Sequence, residues 1–207
     1  MKKVVLAVVL ILVLAGAGTP FLSGMMMERT LRQSISDINR IYSETGSDIS
    51  LEISQYDRNY SSSRIEWKIK LGTLASFYGF DEIVFLDRAD HGFVRVVSHT
   101  SLEENKWFMD FVNQKLNGIN PLEIKTEYNY IGDVETTVAM DGFRLTEGDD
   151  EIQVMPGHMT FTMDKGINNI LTVGAWEGCT ASDKLVMDKI SINSKLAKLS
   201  SFIWDGS

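Results

Sequence analysis

The chain has 207 residues, 20 Lys+Arg against 28 Asp+Glu, and one cysteine. A single cysteine excludes an intramolecular disulfide framework, so stability has to come from a packed core. The acidic surplus argues against nucleic acid and anionic lipid headgroups as partners of the exposed surface.

The N-terminus is the most informative stretch. Met1-Lys2-Lys3 precedes an uncharged run from Val4 to Leu22. As a helix that run is about 28 Å long, close to the hydrocarbon thickness of a bilayer. Ala15-Gly16-Ala17 has the form of a signal-peptide cleavage site. Against cleavage, apolar character continues through Phe21 and Leu22 without a polar spacer. Met25, Met27, Leu31, Ile35, Ile38 and Tyr42 then recur at helical spacing. The pattern favours a retained signal anchor over 1–22, continuing as an amphipathic helical stalk over 23–46. Lys2 and Lys3 predict a cytoplasmic N-terminus, and Arg29, Arg32 and Arg40 on the far side weaken that argument. Without Lys2 and Lys3, 18 basic residues face 28 acidic ones, a formal charge of −10 on the exported part. Cys179 lies far from the apolar run, which argues against a lipoprotein.

Residues 47–207 read as one β-rich domain. Ile49, Leu51 and Ile53 alternate with polar residues, as do Ile65, Trp67, Ile69 and Leu71, and a period of two predicts strands with one buried face. Ile83–Leu86 and Phe93–Val97 are denser apolar runs, with Asp90-His91-Gly92 as the expected turn between them. A single helix interrupts the strands: Ser101 is its expected N-cap, with Glu104 three residues on, Phe108, Phe111, Val112 and Leu116 form its stripe, and Gly118 and Pro121 end it. Strands resume at Leu122–Tyr130, turn at Gly132-Asp133, and return from Val134 to about Leu145, where Glu147-Gly148-Asp149-Asp150 breaks the pattern. Further strands are expected at 151–155, 159–163, 170–176 and 185–192, separated by Pro156-Gly157 and Lys165-Gly166. Short turns at this spacing predict a mostly β (α+β) fold, an antiparallel meander with one inserted helix. Leu196, Leu199, Phe202 and Ile203 begin a further apolar pattern that stops at Asp205-Gly206-Ser207 without room to pair. The sequence leaves open whether 207 is the natural end; a missing continuation would leave an open sheet edge.

Tyr56-Asp57-Arg58-Asn59-Tyr60-Ser61-Ser62 resembles the Tyr-x-Arg-Gly-x-x-Ser-Ser segment of the YdgA-like family, bacterial proteins of unassigned function. The strand leading into Asp90-His91-Gly92 is similar to that family's His-Gly-Pro turn, and Asn120–Thr126 with Gly132-Asp133-Val134 resembles its next hairpin. Asn59 stands where the family has Gly, and Phe93 where it has Pro. The likeness covers the anchor and about 48–145, and members are usually longer. It implies a Gram-negative protein anchored in the inner membrane by a single pass, with the bulk of the chain in the periplasm and no established reaction. Tyr56, Arg58, Ser61, Ser62, His91, Gly92, Pro121, Gly132 and Asp133 are the matching positions, expected to be structural.

The candidate chemistry is sparse. His91, His99 and His158 do not pair with one another at helical spacing or with the cysteine, so no metal or cofactor site is expected. Asp90-His91 with Ser61, Ser62 or Ser63 can be drawn as a triad, but no Gly-x-Ser-x-Gly elbow accompanies it and no catalytic residue is assigned. Cys179 has no resolving partner and reads as a small packed residue. Met159, Phe161 and Met163, with Met140, Met155 and Met187, supply adaptable apolar surface. Core packing is the default for that stripe; the alternative is a groove for an apolar ligand such as an acyl chain. The expectation is therefore a non-enzymatic, membrane-anchored binding or scaffolding module acting on an envelope protein or lipid. Lipid handling and self-assembly into homo-oligomers are the alternatives, and an envelope hydrolase ranks last.

Overall fold

A computed structural model describes residues 2–130, 132–147, 150–164, 166–181, 185–200 and 203–207, with side chains described from Thr19 onward except at 147, 150 and 203. Helix α1 spans Lys2–Glu44. The side chains of its apolar run through Gly18 lie outside the described residues, and among the described residues no helix is long and apolar enough to cross a membrane. The spanning expectation thus rests on the sequence. The helix stops where Gly46 takes a left-handed φ of 75° and Ser47 N–H returns to the Tyr42 carbonyl.

The strands follow as an antiparallel meander: β1 (Ser50–Arg58), β2 (Ser62–Lys70), β3 (Glu82–His91), β4 (Arg95–Ser101), β5 (Leu122–Asn129) and β6 (Val134–Met140). Two short strands, β7 (Phe143–Glu147) and β8 (Asp150–Val154), then leave the sheet before β9 (Gly157–Met163) and β10 (Asn169–Trp176) rejoin it. The excursion repeats with β11 (Cys179–Ala181) and β12 (Leu185–Met187), after which β13 (Ile190–Ser200) and β14 (Ile203–Gly206) complete the edge. The result is a ten-stranded sheet in the order β1-β2-β3-β4-β5-β6-β9-β10-β13-β14, and a four-stranded sheet, β12-β11-β8-β7, built from the two excursions.

Cross-strand partners in an antiparallel sheet share a face. Register therefore places on one side Ile53, Trp67 and Phe85, then Tyr128 and Val134, then Met163, Ile170 and Leu196. The C-terminal part of α1 lies on this side over the first strands. Met27 is buried with Ile65, Ala89 and Val96, and Leu31, Ile53, Tyr56 and Trp67 close around them. Polar clamps fix the helix: the Asn39 amide exchanges two 2.7 Å bonds with the Leu51 backbone, and Arg58 pairs with Glu28 at 3.0 Å. Residues 23–46, read as a stalk, are thus helical to Glu44 and packed on the sheet.

The antiparallel, mostly β expectation holds, with local corrections. The expected turn at Asp90-His91-Gly92 falls later, because β3 runs through His91, whose N–H bonds the Ser61 carbonyl at 2.8 Å; Gly92 to Val94 make the turn. Besides α3 (Lys106–Lys115), a 3₁₀ turn (Gly72–Leu74) and a short helix α2 (Ala75–Tyr78) join β2 to β3. Helix α3 starts later than Ser101 because Asn105 holds its N-cap position, its side chain bridging to both backbone groups of Val84, which lies beyond the β3–β4 pairing. The return strand expected over 134–145 divides at Asp141-Gly142, and the one over 185–192 at Asp188-Lys189, where the chain changes sheet. A Cβ at Gly142 would come within 3.1 Å of the Val154 carbonyl oxygen and the Pro156 ring, which is why that crossing takes glycine. The C-terminal pattern also pairs after all: Leu196, Ala197 and Lys198 of β13 face Gly206, Asp205 and Trp204 of β14. Gly148, Asp149, Lys165 and Phe202 lie outside the described residues.

Candidate functional site

The sequence motif nearest to catalytic chemistry is shut away beneath α1. Ser63 Oγ and His91 Nε2 lie 2.9 Å apart and both residues are buried. Nδ1 faces the helix backbone so closely that a Cβ on Gly24 would fall 2.6 Å from it. Burial holds the imidazole below its ordinary pKa. Asp90, adjacent to His91 in one strand, points to the opposite face, and Ser62 is its cross-strand partner there. The buried carboxylate on the His91 face is Asp87, which accepts from Trp67 Nε1 at 3.0 Å and from Thr100 Oγ1. Burial raises its pKa. These groups are assembled as buried polar packing, and no triad forms.

The remaining motif positions serve the same covered region and its turns. Tyr56 packs against the core, and Arg58 holds Glu28 while lying 5.2 Å over the Phe21 ring. The Ser61 carbonyl accepts from His91, and the Gly92 carbonyl accepts from Tyr130 Oη at 2.5 Å. Pro121 is buried with its carbonyl on Asp141 N–H, Gly132 lies against the Asn129 side chain, and the Asp133 carbonyl accepts from the Asn129 side chain at 3.1 Å. Cys179 is half-buried in β11, opposite Val154 and Met187. Among the described residues no group of three His, Cys, Asp or Glu could hold a metal ion.

Beyond β5 the apolar face continues without the helix, and here the structure opens a trough of about 290 Å³. Two cross-strand rows make it: Val138, Met159, Gly174 and Ile192, and beside them Met140, Gly157, Trp176 and Ile190. The volume falls at the small end of ligand pockets, and side chains of the two rows are apolar throughout. Glycines form its floor because bulk cannot: a Cβ at Gly174 would lie 2.8 Å from the His158 carbonyl oxygen, and one at Gly157 would lie 3.1 Å from Trp176 Cδ1. Trp176 is fixed as a wall by Nε1 donating to the Met155 carbonyl at 3.1 Å. Ile190 and Ile192 remain 46% and 41% exposed, too much for ordinary core residues.

Met159 lines this trough, whereas Phe161 and Met163 continue the same face away from it, opposite Thr136 and Val134. A second crevice of about 110 Å³ lies between α1 and the sheet, lined by Met26, Met27, Val96, Tyr128, Tyr130 and Val134. The row Val96, Tyr128, Val134, Met163, Ile170 leads from that crevice onto the uncovered strands. Gly157, Gly174, Trp176, Ile190 and Ile192 were not singled out by motif; the available signal was a glycine inside an otherwise apolar strand, which marks close approach of another group. No site had been expected at the point where the chain changes sheet.

The family comparison covers the whole chain. Residues 1–207 match the family described as bacterial protein of unknown function (DUF945), and the chain belongs to that family. No curated protein and no solved structure matches it.

Proposed function

We propose that this member of the family is a membrane-anchored, periplasm-facing binding module whose uncovered sheet face receives an apolar chain, such as the acyl chain of a lipid. The observation that carries the reading is the change along one face: the side of the sheet that α1 covers over β1–β4 continues over β6, β9, β10 and β13, where among the described residues Ile190 and Ile192 of the trough stay exposed. Monomeric proteins rarely leave such a surface unused. Methionines in and beside the trough supply side chains that adapt to a flexible guest. The uncharged run from Val4 to Leu22 supports the anchor, and the YdgA-like motif around Tyr56 supports the envelope address. Burial of the Ser63–His91 pair supports a non-catalytic role.

The test is native mass spectrometry of the full-length protein extracted gently from membranes. An uncleaved chain carrying phospholipid is expected. A lipid-free chain, alone or as a homo-oligomer, that also fails to bind an apolar dye overturns the reading.

A further inference from the structure

We infer that the end of the domain at which α1 meets the sheet is itself a bilayer contact: the turn tips Tyr60, Phe93 and Val94, with Phe21 and Leu22 of the helix, seat at the boundary between headgroups and acyl chains. This rests on the anchor reading above. It adds that the domain lies against the membrane surface in a fixed orientation and does not hang free of it.

The placement follows from contacts at one corner of the fold. Gly24 of α1 lies against the His91 ring, where an added Cβ would be 2.2 Å from Cε1. His91 is the last residue of β3, so the turn that follows it, carrying Phe93 and Val94, sits beside the helix just after its uncharged run ends. The neighbouring turn is tied to the same point by the His91 N–H bond to Ser61, which sets Tyr60 alongside. Arg58 over the Phe21 ring closes the group from the helix side.

The chemistry at these tips is wrong for water. Tight turns are ordinarily built from Gly, Asn, Asp and Ser. Here Phe93 is 66% and Val94 74% exposed, in a turn where neither contributes to the core. Amphipathic aromatics and bulky apolar residues at one end of an anchored domain are the composition of the membrane interface. The nearby cations are already matched: Arg58 pairs with Glu28, and Arg95 with Glu127. Asp57 and Asp90 add negative charge. The contact is therefore apolar and needs no anionic headgroup, unlike polybasic surfaces. A second aromatic group, with Phe77, Tyr78 and Trp107 exposed and Phe80 in ring contact with Tyr78 and Trp107, lies at the far ends of the same strands. Nine residues of β2 put it about 30 Å away, beyond reach of the same bilayer surface.

Full-length protein carrying Cys179→Ala is labelled with a fluorophore at a single new cysteine, Phe93→Cys, Phe77→Cys or Leu10→Cys, and reconstituted in phosphatidylcholine vesicles. The expected result is that nitroxide-bearing phospholipid quenches the labels at 10 and 93 and spares the label at 77, with blue-shifted emission at 93 relative to 77. Quenching at 10 with none at 93 overturns the contact and leaves the anchor standing. No quenching at 10 overturns the anchor, and the contact with it.

Discussion

Two halves of one sheet face, alike in composition and unlike in cover, carry the account. Over β1–β4 the face meets Met27 and Leu31 of α1, and Ile65, Ala89 and Val96 are almost wholly buried. Over β9, β10 and β13 residues of the same type stay partly in water, and Ile190 and Ile192 keep more than two fifths of their surface exposed. The first half is spent on stability. In the second, apolar area contributes little to folding and, on the proposed reading, receives a guest, so substitutions in the two halves should separate stability from binding.

The sharpest contrast is truncation of matched isoleucines. Ile65→Ala, in the covered half, should cost about 2–5 kcal/mol in denaturant unfolding, the range for a buried aliphatic that leaves a cavity. Ile192→Ala should cost about 0.5 kcal/mol or less, as at a surface position. Equal losses would erase the distinction. Next comes the fit of the helix: Gly24→Leu drives a side chain into the His91 ring and should cost about 1–3 kcal/mol by overpacking. It should leave binding of an apolar dye by the open half unchanged.

Charge in the trough should do the reverse. Ile192→Glu places a carboxylate in the trough that Val138 and Met159 also line, and should weaken binding of a fluorescent fatty acid about tenfold, near 1.4 kcal/mol, with an unfolding midpoint close to that of the parent protein. A loss of stability without a loss of binding would assign Ile192 to the core. The smallest expected effect is on pH dependence. Burial lowers the His91 pKa, so the unfolded chain takes up a proton near pH 6.5 that the folded protein refuses. Stability is thus present above that pH and falls as pH drops through it, and His91→Asn should flatten the decline in thermal midpoint between pH 7.5 and 5.5. Asp87 acts in the opposite direction: burial raises its pKa, so the folded state protonates first and gains as pH falls toward the carboxylate range. Asp87→Asn should make the acid-side loss steeper.

The covered half was the more legible one. Period-two alternation in Arg64–Leu71 gave β2 and its buried face directly, and the helical spacing of Met27 and Leu31 marked the stripe that docks on it. Docking itself was not written in the pattern, because an amphipathic stripe specifies burial and leaves the partner open. The limits of α3 depended on Asn105 filling a gap in the Val84 hydrogen bonding, a tertiary demand that outweighed the local capping signal at Ser101. The trough was least legible. Its residues come from four strands that become neighbours only because two short hairpins leave the sheet at Asp141 and Glu177 and pair with each other. Alternation cannot report a change of sheet, since both strands of such a break keep the same period.

The measurement closest to the central claim is photocrosslinking of the full-length protein in membranes with a phospholipid bearing a diazirine on its acyl chain, followed by mass mapping of the adducts. The account predicts adducts on residues of the open half, foremost Met140, Met159, Trp176 and Ile192, and their loss in the Ile192→Glu protein. Adducts confined to α1 and the turn tips, with none on β9, β10 or β13, would contradict it.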